Sequence, residues 1–339
     1  MAATGHRADL SGFVDPSFRH YARSRRGRVA SGANLRVVSV GEVMIKLVRD
    51  ADGRFTLGYA GDTFHTAVHL ARSGVPVSFA TALGDDRYSE AALAAAKAEG
   101  IDTDLILRVN DRALGICLAD AGTEGGQNLE IWRETSPARQ TFELPGWDRL
   151  AERMVTADLI YFSGVTLSLY SNVGLGRMLA ALEFGRERGT RIAFDGNGRL
   201  ASWRGDEQRT RAVFSEALKR CDLALPSFED EARLWGDASP RATIERLTTF
   251  GVREIVVKNG AGPALVHIDN RTVEVPAPEG LAGADDRTAS DAFNAAYIAA
   301  RLRKESAEAA AVAGHRLAAE TRRQPSAPTA RAKSIGNIH

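Results

Sequence analysis

Four short apolar runs recur at nearly even spacing along the second half of this chain: Leu159-Ile160-Tyr161-Phe162, Ile192-Ala193-Phe194-Asp195, Leu223-Ala224-Leu225-Pro226 and Ile255-Val256-Val257-Lys258. Their starts lie about thirty residues apart, and a helix-length stretch fills each interval. A run that is apolar at successive positions, rather than at every second one, suits a strand covered on both faces. Strands that alternate with helices are joined by crossovers and run parallel. With the same rhythm starting at Val37, the pattern predicts an α/β fold, a three-layer α/β/α sandwich around a Rossmann-type, mostly parallel sheet.

In such sheets ligands bind outside the carboxyl ends of the strands. Three of the runs end in polar residues, at Ser163-Gly164, Asp195-Gly196-Asn197 and Lys258-Asn259-Gly260, which puts the expected site along that edge. Two segments break the rhythm. Residues 43–59 read as a hairpin, and so do residues 114–133 with Gly122 to Gly126 as the turn. They would make either a small β-sheet lid over the strand edge or ordinary surface hairpins.

A chain of 339 residues can bury a sizeable core. A net charge of +1 gives no global field favouring nucleic acid or an acidic membrane surface. No apolar run approaches the roughly 18 residues of a membrane span. Cys117 and Cys221 lie far apart and outside any CxxC, which speaks against a disulfide framework or a zinc site and for the reducing cytoplasm. Residues 1–35 are Arg-rich, with Arg7, Arg19, Arg23, Arg25, Arg26 and Arg28. They read as a targeting or nucleic-acid arm, or as a disordered leader or a misassigned start. Without an apolar h-region the second reading is favoured. The main domain then spans 36–320. Its last helix runs from Ala307 to about Ala319, and 321–339 is a Pro- and Arg-containing tail expected to be disordered.

Asp291 stands where small residues give way to the helical run Ala292 to Leu302. A carboxylate at a helix N-terminus suits phosphoryl transfer, since free N–H groups there can face developing negative charge while the acid takes a hydroxyl proton. Gly61-Asp62-Thr63 opens another helix. Asp62 or Thr63 is a plausible N-cap, or Asp62 could accept from sugar hydroxyls while Gly61 lets a ligand approach the backbone. Gly260-Ala261-Gly262 is either a plain tight turn or a turn passing a nucleotide. There is no Walker A or GxGxxG motif. Arg133 and Arg199 are candidate anion clamps or surface arginines. In Ser227-Phe228-Glu229-Asp230-Glu231 the acids could act on Mg²⁺ through water or cap the next helix.

In this order the pieces resemble the ribokinase-like pfkB sugar kinases, with the closest likeness to 2-keto-3-deoxygluconate kinases. The carrying stretches are Gly41-Glu42-Val43-Met44-Ile45, Gly61-Asp62-Thr63 through Leu70-Ala71-Arg72, Thr81-Ala82-Leu83-Gly84-Asp85-Asp86 and Trp132-Arg133. Phe194-Asp195-Gly196-Asn197 with Arg199 and Trp203 follows. Then come Glu231 to Gly236, Val257-Lys258-Asn259-Gly260-Ala261 and Asp291-Ala292-Phe293-Asn294-Ala295. The resemblance implies ATP- and Mg²⁺-dependent phosphorylation of a sugar acid. It makes Asp291 the general base and Thr288, Ala289 and Ser290 the anion hole. Gly61, Asp62, Thr63, Arg133 and Arg199 become substrate-binding. Asn197, Ser227, Lys258, Gly260 and Ala261 line the ATP site, and Asp230 reaches the metal through water. The lid sheet, in this likeness, also offers a homodimer interface.

The chain departs from the family pattern in the turn before the base. Asp-Thr-Thr-(Gly or Ala)-Ala-Gly-Asp is replaced by Asp285-Asp286-Arg287-Thr288-Ala289-Ser290-Asp291. If the position of Ser290 needs positive φ, a Cβ there costs roughly 1–2 kcal/mol. Further departures are Ala60 for a glycine, His65 for an asparagine, Cys117 or Ile116 and Ile131 for lid tyrosines, and Arg322 to Ser326 in the stretch that closes over adenine.

Overall fold

The computed structural model describes residues 35–50, 52–120, 129–278 and 287–323. The Arg-rich leader up to residue 34, the turn at Gly122 to Gly126 and the tail from 324 lie outside them. The strands are β1 (Val37–Val40), β2 (Met44–Arg49), β3 (Phe55–Ala60), β4 (Val77–Leu83), β5 (Ile106–Arg108), β6 (Ile116–Asp120) and β7 (Leu129–Trp132). They continue with β8 (Leu159–Ser163), β9 (Arg191–Asp195), β10 (Leu223–Ala224), β11 (Glu254–Val257), β12 (Ala264–Ile268) and β13 (Arg271–Val275). Nine form one sheet in the order β13-β12-β11-β10-β9-β8-β1-β4-β5. Every neighbouring pair from β11 to β5 is parallel, while β12 and β13 close the edge antiparallel. Asp269 and Asn270 turn that edge hairpin with φ of 51° and 61°. A two-residue hairpin of the primed type asks for this backbone, and Asp and Asn tolerate it.

The four apolar runs are the interior strands, and each feeds both faces. Ile160, Phe162, Ile192, Phe194, Ile255 and Val257 pack with Leu150, Met154, Met178, Leu182 and Phe214 from the helices Trp147–Val155, Asn172–Glu187 and Glu207–Leu218. Leu159, Tyr161, Ala193 and Val256 point the other way. They meet Phe64, Val68 and Leu70 of Asp62–Arg72 and Phe293 and Tyr297 of Arg287–Leu302. Alternate residues of a strand face opposite sides, so a run apolar throughout supplies both layers of core.

The second sheet has four strands in the order β3-β2-β6-β7, with β2 and β6 parallel at its centre. Three residues separate its first strand from the end of β1, at the carboxyl edge of the main sheet. Met44 touches Arg133, so the Met44, Lys46 and Val48 face turns inward. The register pairs Ile45 with Ile116 and Ile116 with Trp132 on the opposite face, where Ile45 and Tyr59 are buried in the core while Phe55, Ile116 and Trp132 remain 55%, 36% and 53% exposed.

Two helix ends differ from the sequence reading. The last helix runs Ala307–Arg323, so 321–323 are helical rather than tail; Ala310, Ala311, Ala318 and Ala319 bury a small-residue face that carries it on. The helix bearing Asp291 begins at Arg287, a full turn before that residue. Ser290 is therefore helical and is absent from the non-glycine positions with positive φ, so the strain expected there does not arise.

Candidate active site

Asp291 sits in the second turn of its helix and is 3% exposed. Helical spacing puts Asn294 on the same face. That side chain is a hub. Its Nδ2 donates to Asp195 Oδ2 at 3.0 Å and to Tyr161 OH at 3.0 Å, and its Oδ1 accepts from Lys258 Nζ at 2.9 Å. Lys258, at the end of β11, also donates to Ser290 Oγ at 2.7 Å and lies 3.3 Å from Asp195 Oδ1. Asp195 ends β9 and Tyr161 lies in β8, so β8, β9, β11 and one helix converge on the network.

A second group approaches from the loop after β9 and the start of Asp62–Arg72. Asn197 Nδ2 donates to Asp62 Oδ2 at 3.1 Å, and Arg199 Nε donates to Asn197 Oδ1 at 3.2 Å. Gly61, not Asp62, is the N-cap, and no side chain caps this helix. Asp62 Oδ1 instead accepts from the Thr63 N–H at 2.8 Å. The space a Cβ on Gly61 would take is filled by the Glu42 carbonyl oxygen, 2.0 Å away. Close backbone packing explains this glycine. One helical turn on, His65 Nδ1 lies 3.2 Å from Asp291 Oδ2.

Two buried carboxylates, Asp195 and Asp291, and half-buried Asp62 thus share one space with buried Lys258 and half-buried Arg199. Burial lifts the Asp291 carboxyl well above the ordinary carboxylate range, and Asp62 and Asp195 add to the rise while Arg199 and Lys258 oppose it. Burial also raises Asp195, against the pull of Lys258. A carboxylate with enhanced proton affinity is suited to take a proton from a hydroxyl.

Residues 34–333 match the pfkB family carbohydrate kinases. The chain belongs to that family. It is 34% identical over 288 residues to a 2-dehydro-3-deoxygluconokinase of Dickeya dadantii, a match covering 82% of this chain and 92% of that one. An Escherichia coli 2-dehydro-3-deoxygluconokinase is also 34% identical, over 83% of this chain and 92% of its own length. Among solved structures, a PfkB protein from Polaromonas superposes with a TM-score of 0.76 at 25% identity, covering 86% of this chain and 96% of that chain.

In this pfkB kinase the remaining expected residues fall into two sets. Along the carboxyl edge, Ser227 bridges to Lys258 through the backbone, and Gly260, with φ 57°, turns the chain beside exposed Ala261. Asp230 packs next to Gly198 and lies 3.6 Å from Arg233 Nη1. Thr288, Ala289 and Ser290 lie in the helical turn before Asp291. Arg133 is set apart. It is 9% exposed, with Nε 3.3 Å from Glu42 Oε2, within ion-pair range but misaligned for a hydrogen bond. Burial raises the Glu42 carboxyl, and Arg133 pulls it back. Thr63 is also buried, its carbonyl held by Ser39 Oγ at 2.9 Å.

The resemblance places Lys258 and Asn197 against a nucleotide. In the structure both are engaged to acids, Lys258 to Asp195 and Asn197 to Asp62. The sequence reading gave no role to Glu42, Tyr161, Asp195 or Asn294, or to His65 beyond noting a departure. Asn294 had a readable signal, since it stands three residues after Asp291. Nothing in the sequence pairs Glu42 with Arg133, 91 residues away.

Proposed function

We propose that this carbohydrate kinase transfers the γ-phosphoryl group of ATP to a hydroxyl of 2-keto-3-deoxygluconate, giving the 6-phosphate. The observation that carries this reading is a buried, proton-seeking Asp291 facing Arg199 at the carboxyl edge of the sheet beneath a lid. The names of the relatives at 34% identity point to the same substrate.

In the reaction, Asp291 takes the hydroxyl proton, the oxygen attacks the γ-phosphorus, and the bond to the ADP oxygen breaks. The first turn at Thr288, Ala289 and Ser290 faces the transferred charge with its helix N-terminus. Gly61, Asp62 and Thr63 meet the sugar hydroxyls. Arg199 takes the carboxylate end, and Arg133 joins it where the substrate displaces Glu42. Ser227, Gly260 and Ala261 border ATP. A side chain at Gly260 would meet nothing within 4 Å, so the edge is open for a nucleotide. Lys258 and Asn197 we assign to holding the acids in place.

Among the described residues no group of three or more His, Cys, Asp or Glu side chains could cage a metal. That fits Mg²⁺, which keeps waters and takes few protein ligands alongside phosphate oxygens. Asp230 would hold it through water. Bound there, Mg²⁺ neutralises phosphate charge. Cys117 and Cys221 are buried thiols outside any disulfide, which suits a cytoplasmic setting, and no described helix is long and apolar enough to cross a membrane.

Purified protein with ATP, Mg²⁺ and 2-keto-3-deoxygluconate is expected to release ADP, and Asp291→Asn to lower the rate by about 10²–10⁴-fold. Equal turnover by the variant refutes the base. Thermal stabilisation by the sugar acid with no turnover in the parent would make the protein a binder instead.

A further inference from the structure

The structure assigns His65 as the positioning partner of Asp291: its Nδ1–H donates to Oδ2, fixing the carboxylate and leaving Oδ1 to take the substrate proton. This deepens the kinase reading and rests on it.

Both side chains are buried, at 6% and 3% exposure, on two helices that pack against each other. The 3.2 Å contact is the hydrogen bond that the Asp291 carboxylate makes to a side chain, and among the described residues Oδ1 accepts none. A carboxylate held at one oxygen presents the other in a fixed direction, which proton transfer requires. The backbone is tied as well: Thr66 Oγ1, one residue after His65, donates to the Asp291 carbonyl at 3.4 Å.

The groups around the pair decide its charge. His65 is faced by Lys46 from the lid, by His69 from its own helix, by Arg199 from the loop after β9 and by the Tyr59 carbonyl from β3. Burial and the three basic groups push the imidazole down to about 3, so it is neutral at working pH. Asp291 is faced by Asp62, Asp195, Arg199 and Lys258 as well. A neutral imidazole carries one ring proton. On Nδ1 that proton serves the ionised carboxylate, and Nε2 is then an acceptor; it is buried and has no partner at normal geometry. During turnover the substrate hydroxyl proton moves to Oδ1, its oxygen bonds to the γ-phosphorus and ADP leaves with the electron pair. His65 loses and gains nothing.

A donor to the ionised form favours it. Removing the donor therefore raises the proton affinity of Asp291, and the acid limb of kcat/KM moves to higher pH. His65→Phe keeps a ring and deletes both nitrogens, and its limb is expected to move up by roughly 0.5–1 pH unit. His65→Asn places an amide N–H near the Nδ1 position and is expected to bring the limb back to within about 0.2 unit. An unmoved limb in a His65→Phe variant that melts cooperatively overturns the assignment. The ¹⁵N NMR spectrum of His65 in the parent at pH 7 needs no turnover. A neutral Nδ1–H tautomer is expected, and the Nε2–H tautomer overturns the assignment. If the protein phosphorylates no sugar acid, the kinase reading fails while the tautomer still decides the pairing.

Discussion

Lys258 offers the sharpest test of how the site is held together. Its ammonium is the cation nearest Asp195, and both residues are buried, at 8% and 2% exposure. Lys258→Met keeps the stem and removes the charge. Three consequences follow from the contacts. Asp195 loses its counter-ion at 3.3 Å, and Ser290 Oγ and Asn294 Oδ1 lose a donor at 2.7 and 2.9 Å. Breaking one side of a buried pair costs about 3–5 kcal/mol. The Asp195 charge has an escape, because a carboxyl already raised by burial can rise further and hold its proton.

That escape fixes the sign of the pH dependence. Where the variant's native state keeps a proton on Asp195 that the unfolded chain has lost, stability falls as pH rises, by about 1.4 kcal/mol per unit. The deficit of Lys258→Met should therefore shrink from pH 7.5 to pH 5. Urea denaturation across that range, read from tryptophan fluorescence, gives the numbers. Combining Lys258→Met with Asp195→Asn removes both charges, so the double variant should be more stable than the sum of the singles predicts, by about 1.5 kcal/mol or more. Additivity within about 0.5 kcal/mol, with a deficit independent of pH, would refute the pairing.

Other consequences are simpler. Ser290→Gly restores the family's residue at a position that is helical here, so it should destabilise by about 1 kcal/mol, from helix propensity and the lost Lys258 contact; a gain in stability would mean that the position needs positive φ. Glu254 is held below its usual range, against the opposing effect of burial, by Arg301, by Tyr297 at 2.6 Å and by Arg191. Its contribution is present above the ordinary carboxylate pKa and is lost as pH falls through the depressed one, so Glu254→Gln should flatten the acid side of a stability–pH curve; Tyr297→Phe should cost about 1–3 kcal/mol at pH 7. The lid face with exposed Phe55, Ile116 and Trp132 is proposed as a homodimer interface. Light scattering should give twice the chain mass for the parent and the chain mass for Trp132→Glu, whereas a monomeric parent ends that proposal.

The layers were legible because they rest on local patterning. Runs such as Ile192-Ala193-Phe194 have no polar face, and only a doubly covered strand accommodates that. The lid hairpins were legible for the opposite reason, since they interrupt the βα rhythm. Asp291, Asp62 and Arg199 stand out in the sequence because each lies next to an expected element boundary, although the structure puts Asp291 one turn inside its helix. The rest was hidden by distance in sequence. Lys258, Asp195, Asn294 and Tyr161 meet only when β8, β9, β11 and a helix from residue 287 onward converge, and each alone reads as a generic polar residue. Element ends were the weakest part. The helix over 287–302 was expected to start at Ala292, yet Thr288-Ala289-Ser290 has no residue that forbids a helix, and Ser290 finds a partner in Lys258.

That extra turn bears on whether losing the glycines separates the proposed base from its proposed anion donors. In a helix beginning at Arg287 the free N–H groups lie in the first turn, over 287–289, and not at the base itself. A helical side chain leans toward the N-terminus and covers the turn before its own Cα. Asp291, one turn in, therefore projects its carboxylate back toward those donors. A glycine turn would achieve the same juxtaposition by bending the backbone around the phosphoryl group. Here a helix does so with a one-turn offset, and the half-buried Lys258–Ser290 bond pins that turn to the sheet at 2.7 Å. The replaced glycines thus change how the first turn is held while leaving the carboxylate within its reach.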